Sequence, residues 1–461
     1  MEAIIKGLKE RWVGIVITLV SITLISVFHW LGIFDVLEMK SYDYRFHRVR
    51  GPLTGWSAKD STYIRQDTDV VLVEVDDEAW RLMPETWPYP RGTIWGRAIK
   101  NLYRAGAKVI VFDIQFDAPE TKSEYLHSFA ENIESEDLKQ LIPRHGDIML
   151  GEAIAEARSF GTEIIMPVKM VTEQNLQPPQ YIAYPVKEVM AANPETGLIN
   201  DLMDEDGFSR QYSIFDQMGH EPDKYYLTIG IKAVKSFLGI SDTVLPQFDA
   251  DDLTCTYGPV TIKTYGYGNT FLVNYYGPPS GYRLRGAQQL PAWGTYPRYS
   301  LAYIIDTDDV TLRDPTEDID WMTQFLPGAV PEWIQAIEDP VEKQAMMDMM
   351  GIGADFDVTK SPFYNKIVVI GTAVEVHHDV KYTPFYNYMG VQQLTPGMET
   401  HANAIQTILD SNYLNVLGGR LTSLFYYEYP MSHTWLIALL CLIAFVLLSM
   451  VNPVSAGALI I

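Results

Sequence analysis

Two long stretches without a single Asp, Glu, Lys or Arg lie near the ends of this chain, at residues 12–34 and 429–461. They limit its folding more than any other feature. Inside hydrocarbon a segment must satisfy its own backbone polar groups, so such a run enters a bilayer as a helix. The first run has 23 residues, enough at 1.5 Å per residue to cross a layer about 30 Å thick. It follows Lys6, Lys9 and Arg11. A secretory leader is the competing reading, but its apolar region is roughly 7–15 residues long and ends at a small-residue cleavage site. Here the run closes on the bulky Phe28-His29-Trp30-Leu31. Residues 12–34 are therefore expected to be an uncleaved transmembrane helix.

At the other end, residues 434–451 read as a second transmembrane helix and Asn452-Pro453 as a turn. Residues 454–461 read as the start of a further, incomplete span, which implies a chain continuing past Ile461; a tail lying in the interface is the alternative. Basic residues do not decide orientation. Lys6, Lys9 and Arg11 flank one side of the first run, and Lys40, Arg45, Arg48 and Arg50 the other.

The 35–428 segment between these runs has the pattern of an α/β domain. Buried-strand signals occur at Asp69–Val75, Lys108–Phe116, Thr162–Val168 and Lys366–Thr372. Helical spacing occupies 93–105 and 147–160, ended by Gly106 and Gly161. This alternation implies right-handed parallel crossovers and a doubly wound, mixed but mainly parallel sheet. A hairpin is expected around Asp204-Glu-Asp-Gly207, between residues 197–200 and 210–215. A helix is expected over 225–238, and short strands near 254–256, 260–265 and 270–275. The late strand and a helix over 396–410 are expected to return to the first sheet. Residues 307–361 read as an acidic insertion, with 13 Asp/Glu against Arg313, Lys343 and Lys360 and a Met346-Met-Asp-Met-Met350 run. That segment is either a locally packed excursion or a partner-binding element.

The net charge of −23 over 461 residues excludes a nucleic-acid-binding face. Two cysteines, Cys255 and Cys441, cannot build a disulfide scaffold. There is no phosphate-binding Gly-x-x-x-x-Gly-Lys loop, no Gly-x-Ser-x-Gly elbow, no His-Glu-x-x-His and no paired Cys-x-x-Cys. Catalytic residues and a cofactor are not expected within this chain, and enzymatic activity is left open.

In a doubly wound sheet, ligands sit beyond the carboxyl ends of the strands. Asp76 and Asp77 follow the first strand, Asp113 lies near the end of the second, and His377, His378 and Asp379 follow the late strand. Glu399 and His401 open the late helix. Gathered at one edge, these carboxylates and imidazoles suit a cationic ligand or a divalent metal. Arg91, after Pro88-Tyr-Pro90, suits bidentate recognition of a carboxylate. Each has a plainer reading. Arg91 pairs with Asp113 or Asp76, His401 is a packed histidine, Asp379 is a turn residue, and Glu399 complements the helix dipole. Trp87 and Trp95 are core or loop anchors, or else walls of an aromatic cage.

Several blocks together resemble the CHASE2 sensor family. They are Trp87-Pro-Tyr-Pro-Arg91, Gly106-Ala-Lys-Val-Ile-Val-Phe-Asp113 with Phe116, and Asp204-x-Asp-Gly-x-x-Arg210. Asn274-Tyr-Tyr-Gly277, Lys366-Ile-Val-Val-Ile-Gly371, Asp379, Thr383-Pro384, Pro396-Gly-Met-Glu399 and His401-Ala-Asn403 continue the match in order. It runs from about 35 to 415. The acidic 307–361 stretch and the doubled His377-His378 depart from the usual pattern.

The resemblance implies an extracytoplasmic sensory domain of a bacterial inner-membrane, multi-pass receptor, with residues 1–11 cytoplasmic and the main domain periplasmic. It implies a periplasmic ligand or partner protein, a homodimer or larger membrane assembly, and a cytoplasmic effector beyond this chain. That effector is most often an adenylate or guanylate cyclase, sometimes a kinase or diguanylate cyclase. A structural or accessory subunit of a membrane assembly, with no effector, is the competing function.

Overall fold

The computed structural model describes residues 12–414 apart from 32, 34, 58–61, 65–67, 201, 251, 266–267, 282–293, 307–309, 318–319, 353–355 and 378; beyond 414 it describes 438–444 and 446. The expected cytoplasmic segment 1–11 and the incomplete span at 454–461 lie outside the described residues. So does most of the expected span at 434–451, which is helical where it is described.

Helix α1, Trp12–Trp30, has 19 residues and a length of about 28 Å. Its Ile17, Leu19, Val20 and Leu24 are exposed. Among the described residues, no helix is long and apolar enough to cross a membrane.

The domain core is a seven-stranded sheet. Its strands are β1 (Val70–Val75), β2 (Val109–Phe112), β3 (Glu163–Thr172), β4 (Gln180–Ala183), β5 (Glu195–Leu198), β6 (Arg298–Ser300) and β7 (Ile367–Thr372). The order is β6-β1-β7-β2-β3-β4, with β5 also paired to β3. Every pairing is parallel except β3 with β4. The register sets Ile367 between Val70 and Val109, so the late strand fills the gap between the first two.

All six residues of β1 and of β7 are buried, as expected of parallel strands covered on both faces. Residue parity divides them. Val71, Val73, Val75, Ile110, Phe112, Val368 and Ile370 meet the layer of α2 (Gly96–Arg104), α3 (Gly146–Ser159) and α5 (Leu301–Ile305). Val70, Leu72, Val109, Val111, Ile367 and Val369 meet α4 (Ile229–Leu238) and α7 (Gly397–Leu409). The result is a three-layer α/β sandwich, in agreement with the alternation of strand and helix signals.

Two local expectations fail. The 225–238 helix begins only at Ile229, because Glu221–Leu227 is a strand paired with Phe215–Met218. Thr228 is extended and its hydroxyl donates to Ser213 O at 2.7 Å, which caps the strand rather than a helical turn. The Asp204–Gly207 turn forms, with Gly207 N donating to Asp204 O at 2.8 Å, but it closes no hairpin. Residues 195–198 join the central sheet, and Gln211–Ser213 pairs with Thr270–Leu272.

The 307–361 stretch is divided as well. Trp321, Met322, Phe325 and Ile334 are buried, the first three in the core beside α5. Helix α6, Pro340–Met350, has no buried residue, and Met349 is 74% exposed.

Candidate functional site

Strand parity places the acids. Glu74 shares the parity of Val70 and Leu72, and Asp113 that of Val109 and Val111, so both face the layer of α7. The first turns of α7 bring Glu399 and His401 to the same edge. Asp379 lies over the helix start: Gly397 N donates to Asp379 O at 2.9 Å. A Cβ at 397 would lie 2.4 Å from the Asp379 carboxylate, so only glycine lets this acid approach the helix N-terminus.

The edge separates into two neighbouring clusters. In the first, His401 Nε2 lies 3.5 Å from Asp113 Oδ1, and the Tyr212 hydroxyl is 2.7 Å from His401 Nδ1. Gly230 N donates to the Tyr212 oxygen at 3.0 Å. Burial pushes the Asp113 carboxyl up, but His401, Lys381 and Asp379 together hold it below the usual carboxylate range. The Asp113 carboxylate calls for a proton on Nε2, so Nδ1 accepts from Tyr212. His401 is thus a packed, hydrogen-bonded histidine. Asp379 also pairs with Lys381 at 3.3 Å.

The second cluster surrounds Arg298 of β6. Its Nη2 lies 2.6 Å from Glu74 and 3.7 Å from Asp76, and its Nη1 donates to Ser280 O at 3.1 Å. Glu399 accepts from Ser280 N and Ser280 Oγ, each at 3.0 Å. Asp76 caps the following helix through Ala79 N at 2.8 Å and accepts from Ser300 Oγ at 2.7 Å. Burial raises Glu74 to about 8, with Arg298 opposing and Glu399 adding to the rise. Burial likewise raises Glu399 to about 7 against the Ser280 hydrogen bonds and Arg298. A cavity of about 320 Å³ opens here, lined by Glu74, Asp76, Asp77, Glu78, Ser280 and Arg298 and roofed by Val380, Gln393, Leu394 and Pro396.

Arg91 is not part of either cluster. Its Nη1 meets Asp147 Oδ1 at 2.5 Å and its Nη2 donates to Ala118 O at 2.5 Å. Neither Asp113 nor Asp76 is its partner, because Arg91 leads into α2, on the opposite face of the sheet. Asp147 stands at the start of α3, where the helix dipole favours its charge. His378 lies outside the described residues. His377 packs between Trp87 at 4.4 Å and Trp80 at 5.3 Å, and burial lowers its pKa. Trp95 is 2% exposed and belongs to the core. Among the described residues no group of three His, Cys, Asp or Glu side chains is placed to hold a metal ion.

Glu74, Arg298 and Ser280 were not apparent from the strand-end argument. A lone acid inside Val70-Val-Leu-Val-Glu-Val75 was the available signal for Glu74. Arg298 and Ser280 had none, since only the parallel pairing of β6 with β1 brings them there.

The domain also receives the helical stem Asp35–Arg50 that follows α1. Arg210 is 3% exposed and pairs with Asp43, Asp204 and Asp206 at 2.7–2.8 Å. Its hydrogen bonds to the three acids raise its pKa against the effect of burial. These are the Asp-x-Asp-Gly-x-x-Arg residues, so that motif clamps the stem. Arg50 donates to Asn274 Oδ1 and to Tyr275 O. Asn274 Nδ2 donates in turn to Asn412 O at 2.9 Å, just beyond α7.

The chain matches no curated protein and no solved structure. A family model described as the CHASE2 domain matches residues 17–448. That span takes in the sheet, the acidic edge, the Arg210 clamp and the Asn274 junction, and the chain belongs to the CHASE2 family of sensory domains.

Proposed function

We propose that this chain is the extracytoplasmic sensory part of a bacterial inner-membrane receptor that controls a cytoplasmic adenylate or guanylate cyclase. Helix α1 serves as the N-terminal anchor; its uncharged length and its exposed Ile17, Leu19 and Leu24 support that role. The single observation that carries the reading is the Asn274 junction. One side-chain amide bonds both the entering stem, through Arg50, and the leaving segment, through Asn412. A ligand at the acidic edge acts by favouring one arrangement of α7, whose first turn carries Glu399 and whose last turn leads to Asn412. Its effect equals the difference in its affinity for the two arrangements.

The test is made on the protein in its native membrane. Its intact mass exceeds 52.3 kDa on this reading, and membranes form cyclic nucleotide at a rate that Asn274→Ala alters. A mass near that value together with no cyclase activity sinks it.

A second reading, an accessory subunit without an effector, is favoured by α6. This Met-rich helix has no buried residue and suits an adaptable partner contact. Loss of co-purifying proteins on deleting 340–350, with cyclic nucleotide formation unchanged, distinguishes the two.

A further inference from the structure

Glu74 occupies the interior of a central parallel strand whose other five residues are aliphatic. It is 1% exposed, as is Glu399. A carboxyl in such a place is costly unless a counter-charge meets it, and a well-packed apolar residue would serve stability as well or better. Here the compensation is incomplete. Among the described residues lining the cavity, Arg298 is the one basic group, and it faces both Glu74 and Asp76. Asp77 and Glu78 add two further acids at the rim, and Glu399 stands behind Ser280.

Among the described residues, none fills the space beside these acids. About 320 Å³ lies at the lower end of the range for small-molecule sites, roughly 300–1,000 Å³. It opens beyond the carboxyl ends of β6 and β1, where doubly wound sheets take their ligands. Among the described residues, an anion would meet Asp76 and Asp77 beside a guanidinium already engaged by Glu74 and Asp76. A metal ion would need converging donors, and the described residues offer no such set. Separated carboxylates around a small-molecule-sized space fit spaced N–H donors instead.

We infer that this cavity binds a small organic cation, an ammonium or guanidinium compound, with Glu74 and Asp76 as its principal counter-charges and Asp77 at its entrance. The inference rests on the ligand-sensing reading above and specifies the class of ligand. Glu74 is largely protonated at neutral pH while the cavity is empty, given its raised pKa. A cation beside it favours the carboxylate, so binding releases a proton to solvent. Glu74 faces Arg298 from β6, Asp76 from its own strand end and Glu399 from α7; the two buried glutamates, Glu74 and Glu399, are the groups with protons to release.

The test is calorimetric titration of the full chain in detergent with putrescine and agmatine, and with succinate and magnesium chloride for comparison. The expected result is binding of the two amines with a heat that changes with the ionisation enthalpy of the buffer. Glu74→Gln weakens it at least tenfold. Asp77→Asn, an exposed change that leaves folding intact, weakens it two- to fivefold. Arg298→Gln, which removes the resident cation, preserves or tightens it. Succinate binding that Arg298→Gln abolishes would overturn the cation class and leave the sensory reading standing. Amine binding that neither Glu74→Gln nor Asp77→Asn alters, a response to magnesium alone, or no response to any probe would overturn the site. The membrane cyclase measurement decides the sensory reading independently.

Discussion

Arg210 holds Asp43 in a two-pronged grip, Nε to Oδ1 at 2.8 Å and Nη2 to Oδ2 at 2.7 Å. Asp43 belongs to the stem that follows α1, whereas Arg210 belongs to the body of the domain. The stem is thereby held by a rigid, bidentate contact rather than by apolar packing alone, although Phe46 also packs edge-on against Phe385 at 5.5 Å.

Removing this guanidinium leaves three carboxylates without a shared counter-charge. Arg210→Met is expected to lower stability by about 3–5 kcal/mol, the usual consequence of breaking a buried pair from one side. Arg210→Lys recovers only part, because a point charge cannot reproduce the fork. Asp43→Asn costs less than either, since Arg210 keeps Asp204 and Asp206. Urea denaturation of the three variants gives the order; equal midpoints would refute the clamp.

Asn274→Ala removes an acceptor for Arg50 and a donor to Asn412 at once. Each group left unsatisfied costs about 1–3 kcal/mol. Amide exchange is expected to accelerate in residues 46–50 and in 407–412 together. Faster exchange in one of these segments alone would show that they are not joined through this side chain.

Tyr212→Phe deletes the hydroxyl that donates to His401 Nδ1 and accepts from Gly230 N. A loss of about 1–3 kcal/mol follows. The imidazole retains its proton on Nε2, where Asp113 holds it. Nitrogen NMR of the His401 ring reads the tautomer; a proton found on Nδ1 in the unaltered protein contradicts the arrangement.

Acidity acts on the two clusters in opposite directions. Glu74 at about 8 and Glu399 at about 7 lie above their ordinary value of 4.5. The native state therefore binds more protons than the unfolded chain between about pH 4.5 and 8, and these groups lose stability to the fold as pH rises through that window. Asp113 lies below its ordinary 3.8, so its contribution is present above that pH and is lost as pH falls further. Thermal melts are expected to shift upward on going from pH 8 to pH 5, and the shift shrinks in Glu74→Gln. An unchanged slope in that variant would count against a protonated Glu74.

The sheet was legible because its strands are buried on both faces and read as unbroken Val and Ile runs. Gly106 and Gly161 marked the helix ends; their φ values are +84° and +91°. Glu399, Asp76 and Asp113 were placed near one another by a rule about strand ends. Arg91 was misassigned because that rule does not say which face of the sheet a residue serves; only its α2 setting directs it to Asp147. The 225–238 helix was overextended because Tyr225, Tyr226 and Leu227 fit a helical face and a strand equally well. Arg298 escaped notice because its role depends on strand pairing over more than two hundred residues of separation.

The position of β7 bears on how the chain is made. Its neighbours β1 and β2 leave the ribosome long before residue 367 does, and at about 5–20 residues per second the wait is roughly 15–60 s. Throughout that interval the middle of the sheet is missing, and two apolar strand edges face each other across an empty lane. Folding of the centre thus waits for residue 367 to emerge, and a chaperone that shields Val70–Val75 and Val109–Phe112 in the meantime would act on the segments most exposed to mispairing.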